Sequence, residues 1–158
     1  MKVVEYSQIV EAVKEIALQA NYTLPQDVVV AFKEALNREE WELGRGVLRQ
    51  ILLNAEVAEQ EQMAYCQDTG VAVVFVEIGQ DVHVVGGSLT DAINEGVHRA
   101  YTEGYLGTSM VYDPVFERKN TKDNTPAIIH YEVVPGDKLR IVFAPKGEGL
   151  RTLHAWLC

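Results

Sequence analysis

The sequence predicts an α+β fold, with N-terminal helices followed by a mainly antiparallel sheet and one further capped helix. Three observations carry this expectation. Apolar residues recur at helical spacing through the first third of the chain and give way to β-rich runs beyond Gly70. A Gly86-Gly87-Ser88 turn precedes the one later stretch of helical periodicity. Two strand-like runs flank Pro135-Gly136-Asp137 near the end.

Ile9, Val10, Val13, Ile16 and Ala17 form one apolar face of a first helix. Pro25 suits the first turn of a second, because its missing N–H would be unpaired there anyway. Val28, Val29, Phe32, Ala35 and Leu36 follow it, and Asn37 is a plausible break. A third helix is expected from about Arg38 to Glu61, with Trp41, Leu48, Ile51, Leu52 and Ala55 as its buried stripe. Val71 to Val76 is β-branched and aromatic between Gly70 and Gly79, which predicts a buried strand with Val82–Val85 as its short partner. Ser88 can cap the next helix and Asp91 can complete a capping box. Ile93, Val97, Ala100 and Tyr101 form that helix's inner face. Gly104 to Thr125 reads as loop. Strands over Ala127–Val134 and Lys138–Phe143 are expected to pair as an antiparallel hairpin, because their connection is short.

The 158 residues favour one domain, and 47% hydrophobic with 23% charged residues is ordinary for a globular protein. A net charge of −9 argues against nucleic-acid binding, which needs a basic surface. No apolar run approaches the roughly 20 residues of a membrane helix, and Met1 to Glu5 lacks the apolar stretch of a signal peptide. A cytoplasmic location is the default expectation.

Two cysteines, Cys66 and Cys158, match no zinc spacing, and His83, His98, His130 and His154 show no metal-type spacing to one another. Cys66-Gln67-Asp68-Thr69-Gly70 sits between a helix and a strand, where ligand-binding residues tend to be placed on a rigid scaffold. On these residues alone the run reads first as turn chemistry carrying a thiol. Gly86-Gly87-Ser88 can receive an anion on its backbone N–H groups or serve as an ordinary turn and cap. Asn120 to Pro126 is explained by Asx-type turns.

Taken together, several segments resemble the class I fumarases and L-tartrate dehydratases in their alpha-type catalytic region. The carriers are Cys66-Gln67-Asp68-Thr69-Gly70, Gly86-Gly87, Tyr105-Leu106, Tyr112-Asp113-Pro114, Asn120 to Ala127, Pro135-Gly136-Asp137 and Ala144-Pro145-Lys146-Gly147. The likeness covers about Met1 to Gly149. It implies a hydro-lyase that reversibly hydrates fumarate to L-malate, using a 4Fe–4S cluster held by three cysteines with one open iron as a Lewis acid. By resemblance Cys66 is the first cluster ligand. Gln67 and Asp68 bind the dicarboxylic acid, Asp68 takes part in proton transfer, and Gly149 offers backbone to the substrate.

The departures shape the expectation. Gly107 stands where the family has an arginine that grips a substrate carboxylate. Lys146-Gly147-Glu148-Gly149 replaces a Lys-Gly-Gly-Gly run. After Gly149 the family continues to two more cluster cysteines, whereas Leu150 to Cys158 reads as an altered or frame-shifted end. The chain is therefore expected to divide into a partial hydro-lyase domain over 1–149 and a divergent tail over 150–158. It is expected to be inactive alone and not to assemble the cluster by itself. The implied partners are the small diacid and a beta-type subunit or a second copy. The alternatives are an L-tartrate dehydratase fragment and a non-catalytic assembly domain that keeps the scaffold.

Overall fold

The helical spacing of Ile9, Val10, Val13 and Ala17 translates directly into burial, since none of the four is more than 2% exposed. A computed structural model describes residues 1–147 of the chain. The element order is β1 (Lys2–Glu5), α1 (Tyr6–Tyr22), α2 (Gln26–Arg38), α3 (Glu42–Glu61), β2 (Val71–Gly79), β3 (Val82–Val85), α4 (Leu89–Glu103), β4 (Ile128–Val134) and β5 (Leu139–Lys146). The α+β class is the expected one.

The core is a sandwich of α1 and α4 on one face of a three-stranded sheet. Ala92, Ile93, Val97, Ala100 and Tyr101 of α4 meet the α1 stripe and Ala72, Val74 and Val76 of β2. Ser88 caps α4 as expected, its Oγ accepting from Asp91 N at 3.0 Å, but no return bond from Ser88 N–H to the Asp91 carboxylate is present, so the capping box is not completed. At α1, Gln8 Oε1 accepts from Glu5 N at 3.1 Å and satisfies one of the N–H groups that a helix start leaves open.

The strand senses differ from expectation. The sheet order is β4-β2-β5, with β2 parallel to β4 and antiparallel to β5. The expected hairpin between the last two strands does not form, because β2 lies between its arms. The end of β2 is gripped by the connection itself. Gly79 N donates to Lys138 O at 2.8 Å, Gln80 N to Val134 O at 2.9 Å and Asp81 N to Gly136 O at 2.9 Å. Residues 135–138 need to span only two strand separations, about 10 Å, which a four-residue link reaches. Val82–Val85, expected to partner β2, instead pairs in parallel with β1 in a second, two-stranded sheet. Two of the three ladders are thus parallel, not mainly antiparallel.

α2 and α3 form a helical hairpin beside this core, and α2 buries no residue fully. Leu48, Ile51 and Leu52 are half-buried and Ala55 is buried, as the stripe required. Trp41 is the exception. It precedes α3 as its N-cap and is 65% exposed. Its N–H is taken by Glu39 Oε1 at 2.9 Å, and Arg45 Nη1 donates to the carbonyls of Leu36 and Glu39, so the chain turns between the helices instead of running on from Arg38.

Candidate functional site

The Cys66–Gly70 run splits into two halves by exposure. Cys66, Gln67 and Asp68 face solvent in succession, while Thr69 and Gly70 are buried. The buried half is the anchor. Thr69 Oγ1 donates to Gly107 O at 2.8 Å. Tyr101 Oη donates to Thr69 O at 3.2 Å and Gly70 O at 3.1 Å. Asp68 Oδ1 accepts from Gly70 N at 3.1 Å, an Asx-type closure of the turn. The sequence thus places three groups with chemistry at the tip of a turn whose base is fixed by α4.

Asn124 is the second anchor and is fully buried. Its Nδ2 donates to Gly70 O at 2.7 Å and to Gly107 O at 3.1 Å. Its Oδ1 accepts from Met110 N at 3.0 Å, and its own N–H donates to Thr121 Oγ1 at 3.1 Å. One side chain therefore ties together the Cys66 turn, the 105–111 loop and the Asn120–Pro126 loop. Its φ of +56° lies in the left-handed region, which asparagine tolerates better than most residues.

Two glycines permit the close approach of these segments. Gly70 has φ +67°, and a Cβ there would lie 2.2 Å from the Lys146 carbonyl carbon. A Cβ on Gly107 would lie 2.4 Å from Gln67 O. The position where the resemblance expects a long cation is thus filled by the backbone of the Cys66 turn. Lys146-Gly147 completes the enclosure, since a Cβ on Gly147 would come 3.0 Å from Asp68 Oδ2.

Burial pushes the Tyr101 phenol up to about 12, with the Asp68 charge adding to the effect and hydrogen bonds in the Asn124 and Thr69 network partly opposing it. Burial also raises Tyr65, and the neighbouring Cys66 acts in the same sense. Burial works against ionisation of Asp123, yet its carboxyl is held below the usual range by Thr125 N–H, Thr125 hydroxyl and His98. His98 Nδ1 lies 2.8 Å from Asp123 Oδ2, which clips α4 to the loop carrying Asn124.

The structure brings Cys66, Gln67 and Asp68 together beside Lys146-Gly147. Gly149, the other proposed substrate contact, lies outside the described residues, as do Glu148, Cys158 and the rest of the tail. The ring of Tyr6 fills the space at Gly87, where a Cβ would be 2.5 Å from Tyr6 Cδ2, so this turn serves the cap and the packing. His130 stacks on Phe75, with ring centroids 5.0 Å apart. Sequence reasoning read Asn124 as a turn residue and Tyr101 as plain core. Only their polar atoms, which need partners when buried, pointed further.

Among the described residues no group of three His, Cys, Asp or Glu side chains could hold a metal ion. Iron–sulfur clusters take three or four thiolates, and the described residues supply one, that of exposed Cys66. They fit one corner of such a site and not a whole one.

The chain is similar over its length to known proteins. It is 32% identical over 152 residues to the "Putative L(+)-tartrate dehydratase subunit alpha" of Methanocaldococcus jannaschii, covering 94% of this chain and 53% of that protein. It is 34% identical over 104 residues to "Fumarate hydratase class I, anaerobic" of Escherichia coli K12, covering 65% of this chain and 19% of that protein. The "L(+)-tartrate dehydratase subunit alpha" of Escherichia coli UTI89 is 26% identical over 146 residues, 90% of this chain and 48% of that one. The chain thus spans about half the length of the tartrate dehydratase subunits and about a fifth of the class I fumarase. The family model described as "Fumarate hydratase (Fumerase)" matches residues 10–155, and with that match the chain belongs to the fumarate hydratase family.

Proposed function

We propose that this chain is the first-cysteine portion of an alpha-type hydro-lyase that adds water to, or removes it from, a small dicarboxylic acid. The observation that carries the reading is the exposed triplet Cys66, Gln67 and Asp68 on a turn fixed by Tyr101 and Asn124. Gln67 offers an amide to a substrate carboxylate or hydroxyl. Asp68 offers a carboxylate for proton transfer, oriented by Gly70 N–H. Gly149 adds backbone contact in the same reading. Cys66 would contribute one thiolate to a 4Fe–4S cluster, and the cluster, when bound, would supply the Lewis acidity that a poor hydroxide leaving group needs. The other thiolates come from outside the described residues, so the chain alone neither assembles the cluster nor turns over. Fumarate is the first substrate choice and L-tartrate the alternative, the latter in line with the names of two relatives. Those names, as alpha subunits, also support a beta-type partner. The division into a catalytic piece over 1–149 and a tail over 150–158 belongs to this proposal. So does a cytoplasmic setting, while among the described residues no helix is long and apolar enough to cross a membrane.

The test is anaerobic reconstitution with iron and sulfide, assayed for fumarate hydration and L-tartrate dehydration. The chain is assayed alone and co-expressed with the part of the Methanocaldococcus jannaschii relative that it does not match. The expected result is turnover only in the complemented sample, abolished by Cys66→Ser. Full turnover by the chain alone would overturn its incompleteness. A complemented sample that shows the cluster's absorption but no turnover of either acid would overturn the hydro-lyase reading.

A second reading, a non-catalytic assembly domain, is favoured by a specific observation. Tyr105, Tyr112, Val115 and Phe116 in the loop after α4 are 65–94% exposed. Light scattering that finds only monomer across a wide concentration range would count against it.

A further inference from the structure

The two sheets leave a groove between their facing edges. β5 is the outer strand of β4-β2-β5, and β1 is the outer strand of the two-stranded sheet. Among the described residues no strand pairs with the free side of either. Successive residues of both strands line the groove, Lys2, Val3 and Val4 on one side and Leu139, Arg140 and Ile141 on the other. A run of consecutive residues can line a cavity only if the backbone edge itself borders it, because side chains alternate in direction. The floor is α1, which presents Ile9, Ala12 and Ile16. The cavity measures ≈ 970 Å³.

Charge distinguishes this groove from the rest of the molecule. The chain carries a net −9, yet the groove collects Lys2, Lys138 and Arg140 against a single carboxylate, Asp137. Arg140 is shared with Glu77 on β2 at 2.9 Å, and no ion pair within 4.0 Å involves Lys2 or Lys138 among the described residues.

We propose that this groove accepts an extended segment of a separate polypeptide as an added strand between β1 and β5, with apolar side chains on α1 and acidic ones toward Lys138 and Arg140, which alternate with the core-packed Leu139 and Ile141. Edge strands offer unpaired N–H and C=O groups that a strand of either direction can satisfy, and alternate side chains then supply specificity. The apolar floor selects one face of the incoming strand. The cations select the charge on the other.

The experiment uses the full chain and three fluorescein-labelled peptides of about nine residues, ~30 Å when extended. One alternates valine with glutamate and one alternates valine with lysine. The third is the glutamate peptide with proline at every third position, which cannot form a ladder. Binding is read by anisotropy, and hydrogen exchange follows the β1 and β5 amides. The expected result is binding of the glutamate peptide at least about tenfold tighter than of either other peptide, with slowed exchange in both strands. In Lys138→Glu/Arg140→Glu, whose altered side chains are at the surface, the charge preference should invert. Equal binding of the acidic and basic peptides, equal binding of the proline peptide, no binding at all, or protection elsewhere would each overturn the proposal. Protected β5 amides in a chain that scatters as a dimer without peptide would also overturn it, by making the occupant a second copy.

Discussion

Asn124 Nδ2 sits 2.7 Å from the carbonyl oxygen of Gly70, fifty-four positions earlier in the chain, and donates to it in a fully buried setting. The base of the Cys66 turn is therefore set by a residue from a loop that the sequence places far away. Replacing Asn124 by alanine leaves the carbonyls of Gly70 and Gly107 and the N–H of Met110 without these partners, and it puts a Cβ residue at positive φ without a compensating bond. We expect a loss of about 3 kcal/mol in urea unfolding. Asn124→Gly should cost less, because it removes the backbone strain while still losing the bonds. Equal stability of the alanine variant and the parent would show that the network contributes nothing.

Gly107 is the position at which family resemblance expects an arginine. Gln67 O occupies the place a Cβ would take. Gly107→Ala should therefore destabilise by about 1–3 kcal/mol through overpacking, and Gly107→Arg by at least as much. Differential scanning calorimetry gives the ranking, and hydrogen exchange over residues 66–70 should quicken in both variants. An arginine variant as stable as the parent would mean that the turn moves aside freely.

Tyr101 gives a pH signature at the alkaline end. Its folded-state value of about 12 lies above the ordinary 10, so the neutral phenol is what the fold favours. This contribution is complete below pH 10, where both states hold the proton. It is lost as pH rises toward 12, because the unfolded chain releases the proton first. The shift corresponds to up to about 3 kcal/mol. Tyr22 and Tyr65 are raised in the same sense. Tyr101→Phe should thus flatten, without abolishing, the fall in stability between pH 10 and 12, as measured by denaturant midpoints. It should also cost about 1 kcal/mol at neutral pH from its lost hydrogen bonds.

Asp123 acts at the acid end with the opposite sign. Its carboxyl is held below the ordinary range, so its contribution is present above the unfolded value near 4 and disappears as pH falls through the lower folded value. Asp123→Asn should be less stable than the parent at pH 7, and the difference should shrink below pH 4. A difference that stays constant down to pH 2 would assign the loss to packing. His98→Ala should show a smaller loss than Asp123→Asn at pH 7, because Thr125 still donates twice to Asp123 Oδ1.

Cys66 is exposed, and thiol chemistry reports on it directly. Alkylation of the native chain should modify Cys66 at a rate close to that of the unfolded chain, as peptide mass mapping would show. Strong protection of Cys66 would place it inside the fold, against the geometry described.

Much of the fold was legible because single-element patterns survive folding. The stripe Ile9, Val10, Val13 and Ala17 needs only a helical period and an apolar neighbour, and Ser88 needs only the N–H three residues on. Trp41 misled because its apolar bulk matched a helical stripe while the Glu39 and Arg45 contacts hold the chain in a turn, so that α3 starts only after it. The sheet misled for a related reason. A short link between β4 and β5 is equally compatible with a hairpin and with a hairpin split by a third strand, since both distances are within its reach.

The residue chemistry of the Cys66 turn, the helix stripes, the α4 cap and the family resemblance follow from the order of amino acids, because each depends on neighbours within a few positions or on the identities themselves. The strand order β4-β2-β5, the exposure of Cys66, Gln67 and Asp68 together, and the tie from Asn124 to Gly70 were decided by tertiary structure. They join segments tens of residues apart, and which buried carbonyl meets which buried amide depends on how the whole core closes.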